Sequence, residues 1–416
     1  MHLIERRNTK GRESGQLLTV FALWLPLLLL FTGLAIDFGF GFLTKTKLAK
    51  AADAAALATM RNLGKGYPQA KALGQDVFYL NVNTSSNLYT SAPTPNIQIL
   101  TVNGQPTVNV TASAQIRTFF IGLAGFKTLN ITDFSQVTRP VIILSLVLDR
   151  SGSMNDNGGA TALPPAVTDF LSYFVQGVDQ LGEVSFSTTA SNDVPITKRF
   201  LTPINNSLNS MNFTGGTFAQ GGLTDANGQV TGVSPMPANA VQVVVFFTDG
   251  YANAIQSTVS GRLVDFGGCA GPEFQVGWCT GVSCWDAANG NSLGGYQTPS
   301  IYIGVTCDGV NSFTAQDTTD IPSNPAALNI NNIGYEADYR AIQLANTMRS
   351  QGITVYSIGL GDKINGQYLQ NLANDPASQQ YNPNLPSGLF EDAPTAADLD
   401  YAFQTVAAKI VSRLTE

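Results

Sequence analysis

The longest uninterrupted apolar stretch of the chain covers residues 17–36, LLTVFALWLPLLLLFTGLAI, and no charged residue lies anywhere in 16–36. At about 1.5 Å per residue, some twenty helical residues cross the roughly 30 Å hydrocarbon layer of a bilayer. Pro26 is compatible with such a helix, because membrane helices tolerate helix breakers. A cleaved secretory signal would have a shorter apolar region, about 7–15 residues, closed by a small-residue cleavage site. Here the run passes without a break into KLAKAADAAALATMR, a strongly helix-favouring stretch, so residues 38–62 are expected to continue the helix. Its alanines 51, 52, 54, 55, 56 and 58 make a narrow face that a second helix could approach closely, or simply favour helix. Residues 64–140 change period. Apolar and polar positions alternate over 97–102 and 107–114 around Asn103-Gly104, a hairpin signal, and 130–137 reads as a third strand.

From 141 onward strand and helix alternate. Residues 141–148 (VIILSLVL) and Val241–Thr248 (VQVVVFFT) are continuous apolar runs, the mark of strands buried on both faces. Helices are expected at 163–178, 335–350 and 396–414, and shorter strands at 183–186 and 354–358. That order predicts an α/β domain over 141–416 with a doubly wound, mostly parallel sheet. It is preceded by a long membrane helix (16–63) and a small antiparallel β unit (64–140). Residues 251–334 lack periodicity and are rich in Gly, Asn and Ser, so they read as an insertion into that domain.

Charge and cysteine usage set the compartment. The 416 residues carry 22 Lys+Arg against 29 Asp+Glu, and residues 1–50 hold seven of the basic and three of the acidic groups. The first fifty residues are therefore at +4 and the rest at −11, too acidic for the clustered positive charge that nucleic-acid binding needs. Arg6, Arg7, Lys10 and Arg12 precede the apolar run closely, whereas Lys45, Lys47 and Lys50 follow at a distance. The asymmetry favours a single-pass inner-membrane protein with a cytoplasmic tail at 1–15 and the bulk of the chain periplasmic or at the cell surface. Cys269, Cys279, Cys284 and Cys307 are an even set without a C-x-x-C pair, which reads as candidate disulfides in an oxidising compartment, their connectivity open. The single histidine is His2, in the charged tail, so Ser-His, Cys-His and His-metal catalysis lack their central residue and no catalytic residue is expected.

The N-terminal segment GQLLTVFALWLPLLLLFTGLAIDFG followed by KLAKAADAAALA resembles the TadE/TadG-like proteins of tight-adherence (Flp) pilus systems. The resemblance implies pilus or envelope components as partners. Members processed like type IV prepilins carry Glu five residues beyond the cleavage Gly, and here that position, counted from Gly15, is Val20.

The candidate site lies where buried strands end. The first apolar strand runs into Asp149-Arg150-Ser151-Gly152-Ser153, the later one into Asp249-Gly250, and Thr214-Gly215-Gly216-Thr217 falls between them. Ligands of open parallel sheets bind outside the carboxyl ends of the strands, so these loops are expected to converge. Asp149 and Asp249 offer carboxylates; Ser151, Ser153 and Thr217 offer hydroxyls. An all-oxygen set suits a hard dication, Mg²⁺ above all, or Mn²⁺ or Ca²⁺. Two carboxylates balance two charges but are too few for a closed Ca²⁺ cage, so a coordination position is left for a carboxylate from a partner protein. These residues resemble the metal-ion-dependent adhesion site (MIDAS) of von Willebrand factor A (VWA) domains, D-x-S-x-S, then T, then D. VLDRSGSM, TGGT, VVVFFTDG and VYSIGLGD carry the likeness across 141–416. The resemblance implies direct metal contacts for Ser151, Ser153 and sometimes Thr217, with the aspartates acting mainly through water. Three functions follow: a membrane-anchored adhesion or assembly protein, a minor pilin-like structural subunit, or a metal-assisted hydrolase. The hydrolase lacks a G-x-S-x-G elbow and a Walker lysine.

Overall fold

Helix α1 (Ser14–Arg61) is one unbroken rod of 48 residues with Pro26 inside it. The apolar run and the alanine-rich continuation are thus a single element, as the absence of any turn signal between them predicts. The computed structural model describes residues 14–82, 89–259, 262–267, 279–280, 283–285, 292–294, 303–305, 312–314 and 330–413. Two compact units emerge: Met1–Asn62 with Tyr67–Leu100 and Thr107–Thr138, and Leu63–Gly66 with Thr101–Pro106 and Arg139–Glu416.

In the first unit, α1 is followed by α2 (Tyr67–Asn81), a helix within the stretch read from sequence as purely β. The alanine face is what receives its neighbours: Ala51, Ala52, Ala55 and Ala56 are fully buried. Gly74 of α2 comes so close that a Cβ there would lie 2.0 Å from Oγ1 of Thr59. Strands β1 (Tyr89–Val102), β2 (Gln105–Arg117) and β3 (Thr128–Thr138) form a three-stranded sheet in that order. The β1–β2 connection is Asn103-Gly104, with φ of 52° and 81°, the left-handed pair that a tight two-residue hairpin demands. β2 and β3 pair antiparallel from Thr107↔Thr138 to Arg117↔Thr128. Val108, Val110, Ala112, Ala114 and Ile116 supply the buried face of β2.

The second unit begins with β4 (Ile142–Asp149), α3 (Gly159–Leu171), β5 (Gln180–Phe186) and β6 (Ala190–Thr197). Helices α4 (Leu201–Ser210) and α5 (Ala219–Thr231) lead to β7 (Val241–Thr248). Then come a hairpin of β8 (Ala254–Val259) with β9 (Arg262–Gly267) and five strands of two or three residues, β10 (Cys279–Thr280), β11 (Ser283–Trp285), β12 (Ser292–Gly294), β13 (Ile303–Val305) and β14 (Ser312–Thr314). The chain closes with α6 (Ile330–Ser350), β15 (Thr354–Leu360), α7 (Gly366–Ala373), β16 (Phe390–Ala393) and α8 (Leu399–Ser412). Of the cysteines, 279 and 284 oppose one another in the β10–β11 register, while 269 and 307 lie outside the described residues.

Six strands make the main sheet, in the order β16-β15-β7-β4-β5-β6. All neighbours are parallel except β5 and the edge strand β6. Alternation along β4 divides the core: Ile142, Leu144, Leu146 and Leu148 face one layer, which includes Phe170 of α3 and Phe403 of α8. Ile143 and Val147 face the other, with Leu223 of α5 and Ala341 of α6. Both faces are covered, which is why β4 and β7 are apolar at nearly every position before their carboxyl ends, and the exceptions Ser145 and Gln242 donate to Gln229 and to the Val230 carbonyl. The chain leaves β4 toward β5 on one side and returns to β7 on the other. Their carboxyl ends are the topological switch point, where a crevice opens between diverging connections.

At the base of this unit Arg139 and Asp179 form a buried, two-pronged ion pair. Nη1 and Nη2 donate to Oδ1 and Oδ2 at 2.9 and 2.6 Å. The same carboxylate accepts the backbone N–H groups of Ile142 and Val175 at 3.1 and 2.7 Å. All four bonds run to one buried carboxylate, so the start of β4 is held at a fixed height.

Candidate metal centre

β4 and β7 are in register, Leu148 opposite Phe247, so the two chains leave the sheet side by side. Asp149 closes β4 with its side chain fully buried, and Asp249 follows β7 at 2 % exposure. The loop after Asp149 tightens at once into a 3-10 turn, Gly152–Asn155, started by an extended Ser151. That turn brings Ser151 Oγ and Ser153 Oγ to 3.0 Å from one another. Ser153 donates to Oδ1 of Asp249 at 2.7 Å, and Ser151 lies 3.4 Å from the same oxygen. Asp149 is tied in through its own loop: Oδ1 accepts the N–H of Ser151 at 2.7 Å.

Thr217 arrives by way of the backbone. Thr214 N–H donates to the carbonyl of Arg150 at 2.9 Å, and Gly152 N–H to that of Gly215 at 3.0 Å. Gly215 sits at φ +90°, and a Cβ on it would lie 2.6 Å from Thr188 Oγ1, so both its conformation and its surroundings require glycine. Asn253 then fixes Thr217, accepting its N–H at 2.8 Å and donating its own to the Thr217 carbonyl at 3.2 Å. Of the five residues expected at the site, four are linked by hydrogen bonds. The fifth, Thr217, is carried to the neighbouring loop and buried there at 4 % exposure.

Three further side chains shape the cluster and carry no spacing signal in the sequence. Thr248 donates to Oδ2 of Asp149 at 2.6 Å. Asn157 donates to Oδ2 of Asp249 at 2.8 Å while its own Oδ1 accepts the N–H of Gly159 at the start of α3. Asn253 is the third. Each was hidden because a lone Thr or Asn beyond a strand has many ordinary uses in turns and caps.

The electrostatics are unfavourable for two bare carboxylates. Burial, then the negative charge of Asp249, push Asp149 up to about 7, against the lowering effect of its bonds from Thr248 and Ser151. Asp249 is also raised by burial, opposed by bonds from Ser153, Asn157 and Ser151. A dication between them would offset both penalties, and hydroxyls that now donate to Asp249 could turn their lone pairs to it. Among the described residues no three Asp, Glu, His or Cys side chains gather as a metal site. A cation here would therefore depend on the hydroxyls, and an oxygen-only donor set fits a hard ion.

Residues 15–62 match the Flp pilus-assembly TadE/G-like family, and residues 144–267 match the von Willebrand factor type A domain. Among solved structures, the pilus adhesin SpaC from Lactobacillus rhamnosus GG is similar at 16% identity and a TM-score of 0.41. That match covers 77% of this chain and 35% of the other. The vWF domain of the type V pili tip protein Mfa5 from Porphyromonas gingivalis is similar at 15% identity and a TM-score of 0.41, over 67% of this chain and 98% of the other. Proximal thread matrix protein 1 from the mussel byssus, with a zinc-occupied MIDAS motif, is similar at 14% identity and a TM-score of 0.36, over 66% of this chain and 46% of the other. The chain thus spans about a third of the length of the SpaC structure. No curated protein matches it. By its two family matches, the chain joins a TadE/G-like N-terminal segment to a von Willebrand factor type A domain.

Proposed function

We propose that this protein is a membrane-anchored adhesion or assembly factor that grips a protein partner through a divalent cation, in the setting of Flp pilus biogenesis. The observation that carries the reading is the meeting of two buried carboxylates with the Ser151 and Ser153 hydroxyls at the switch point of the sheet. Ser151, Ser153 and Thr217 would hold the ion directly, and Asp149 and Asp249 would balance its charge. When bound, Mg²⁺ would offer an electron-poor face to a carboxylate on the partner. The protein's own groups orient that face: Thr248 and Asn157 fix the carboxylates, and the Gly215 turn presents Thr217. The chain's single histidine is His2, so no imidazole stands ready to activate the Ser151 or Ser153 hydroxyl, and the reading is one of binding and not of catalysis.

The TadE/G-like match over 15–62 supports the pilus setting, and α1 is long and apolar enough to cross a membrane. The basic residues ahead of the apolar run favour a cytoplasmic N-terminus and a periplasmic or surface-exposed body. The same match also favours a second reading, a minor subunit built into the pilus through α1. The first reading is tested by co-purifying the tagged full chain from its native membranes in Mg²⁺ or in EDTA, beside Asp249→Asn. It expects a pilus component retained by the wild type in Mg²⁺ and lost in the other three samples. Retention in EDTA, or by the variant, refutes it. Recovery of the chain within sheared pilus fibres would instead favour the second reading.

A further inference from the structure

The turn between β2 and β3 is unlike the other hairpin of the same sheet. Asn103-Gly104 is polar, as a solvent-facing turn should be, whereas residues 118–127 read TFFIGLAGFK. Phe119, Phe120 and Phe126 are 49%, 37% and 69% exposed. Exposed Arg117, the last residue of β2, and Lys127, just before β3, flank them. An aromatic tip between two cations would be a poor end for a hairpin in water.

Its position explains the composition. The Asp37 carboxylate of α1 accepts three consecutive N–H groups of the tip, those of Phe119, Phe120 and Ile121, at 2.9, 2.9 and 2.7 Å. Asp37 itself is 3% exposed. A turn earlier, Gly33 lies so close that a Cβ on it would stand 2.4 Å from the Cβ of Phe120. A turn later, the rings of Phe40 and Phe119 are 5.8 Å apart. The tip is therefore fastened to α1 over residues 33–40, where the uncharged run 16–36 gives out. Phe38, Phe40, Phe42 and Leu43 are exposed on α1, so the apolar surface of the helix continues past Ile36 and joins that of the tip.

Backbone outside a helix is excluded from lipid unless its polar groups are satisfied within the protein. Three free N–H groups in a row would ordinarily take water. Asp37 removes that need, and the three bonds account for a carboxylate placed one residue beyond an apolar span, where a bare charge is costly. Lys45 and Lys47 are exposed farther along α1, and with exposed Arg117 and Lys127 they offer cationic side chains to anionic headgroups.

We propose that the 118–127 tip is a second membrane contact, its phenylalanines seated in the interfacial layer of an anionic bilayer beside the α1 span. It rests on the membrane reading of α1, and the test separates the two. The full chain is prepared with p-benzoylphenylalanine at position 29, 126 or 67 and reconstituted in phosphatidylethanolamine–phosphatidylglycerol vesicles. After irradiation, lipid adducts are measured by mass spectrometry. Position 29 reports the span, 126 the tip, and 67, at the start of α2 beyond the far end of α1, is the aqueous control. Adducts at 29 and 126 but not at 67 support the proposal. Adducts at 29 alone overturn it and leave the span intact; adducts at neither overturn both. Cross-linking of 126 to a protein chain, a second copy or another, overturns it as well. With Asp37→Ala the yield at 126 should fall about five-fold while that at 29 holds, since the tip's N–H groups lose their acceptor. Asp37→Asn, which keeps one acceptor oxygen, should fall between. An unchanged yield at 126 in Asp37→Ala would overturn the role given to Asp37.

Discussion

Removing a carboxylate from the candidate metal centre should stabilise the metal-free protein. Asp149 stands at 3.8 in an unfolded chain and is pushed to about 7 in the fold by burial and by Asp249. Between those values the native state holds a proton that the unfolded state has released, so stability falls as pH rises through the interval and is level above it. At pH 8 this penalty is about 4 kcal/mol, taking about 1.4 kcal/mol for each pH step. Asp149→Asn mimics the protonated acid. Its Oδ1 can still accept from Ser151 N–H, and its Nδ2 can donate to Thr248, whose hydroxyl hydrogen turns to the Gly250 carbonyl at 3.3 Å. Allowing about 1 kcal/mol for imperfect hydrogen bonding, the variant should be more stable by about 3 kcal/mol at pH 8 in EDTA. For a domain of this size that is roughly 6–12 °C in melting temperature, read by circular dichroism on the full chain in detergent. At pH 5 the gap should shrink to about 1 kcal/mol or less. Mg²⁺ should close that gap at a hundred times its Kd, where it adds about 2.7 kcal/mol to the wild type and nothing to the variant, and reverse the order at a thousand times its Kd, where it adds about 4.1 kcal/mol. A variant less stable than wild type at pH 8 in EDTA, or a gap that does not change between pH 5 and pH 8, would refute the reasoning.

Other outcomes follow from the same geometry. Gly215→Ala forces a Cβ to within 2.6 Å of Thr188 Oγ1 at φ +90°, so it should cost about 1–3 kcal/mol and lower Mn²⁺ affinity by displacing Thr217. Thermal melts and Mn²⁺ titration report the two effects, and wild-type affinity in the variant would contradict the role assigned to this loop. Arg139→Ala leaves the Asp179 carboxylate buried without its partner and should destabilise the second unit by about 3–5 kcal/mol at pH 7. A loss under 1 kcal/mol in denaturant titration would show that the ion pair does not hold β4 in place.

How much of this was legible in the sequence depended on how each element obtains its stability. β7 was read to the residue and β4 to within one, because a strand covered on both faces is apolar over most of its length. α3 was expected at 163–178 but runs over Gly159–Leu171: Pro164 and Pro165 fall near its start, while Phe174, Val175 and Val178 keep the apolar rhythm after the helix has ended. The edge strand β6, ASNDVPIT, buries little besides Val194 and so shows no clear alternation. α5 contains Gly221, Gly222 and Gly228, a composition that disfavours helix. Packing overrides it, since a Cβ on Gly222 would lie 2.8 Å from both Phe186 and Val147. At the site, D-x-S-x-S and the two aspartates were visible because a fixed spacing at a strand end is informative. Thr248, Asn157 and Asn253 were not, since their partners lie 36 to 99 residues away in the chain. Asp37 was passed over for the same reason, being joined to a turn 82 to 84 residues later.

The claim beneath the functional reading is that oxygens from three loop segments around the β4–β7 switch point hold a divalent ion. Electron paramagnetic resonance during Mn²⁺ titration of the purified full chain measures this directly, because free and protein-bound Mn²⁺ give distinct signals. The account predicts saturable uptake of one Mn²⁺ per chain, displaced by excess Mg²⁺ and absent in Asp149→Asn and in Ser151→Ala. A wild-type chain that leaves Mn²⁺ free at millimolar concentration, or variants that bind it as well as the wild type, would contradict it.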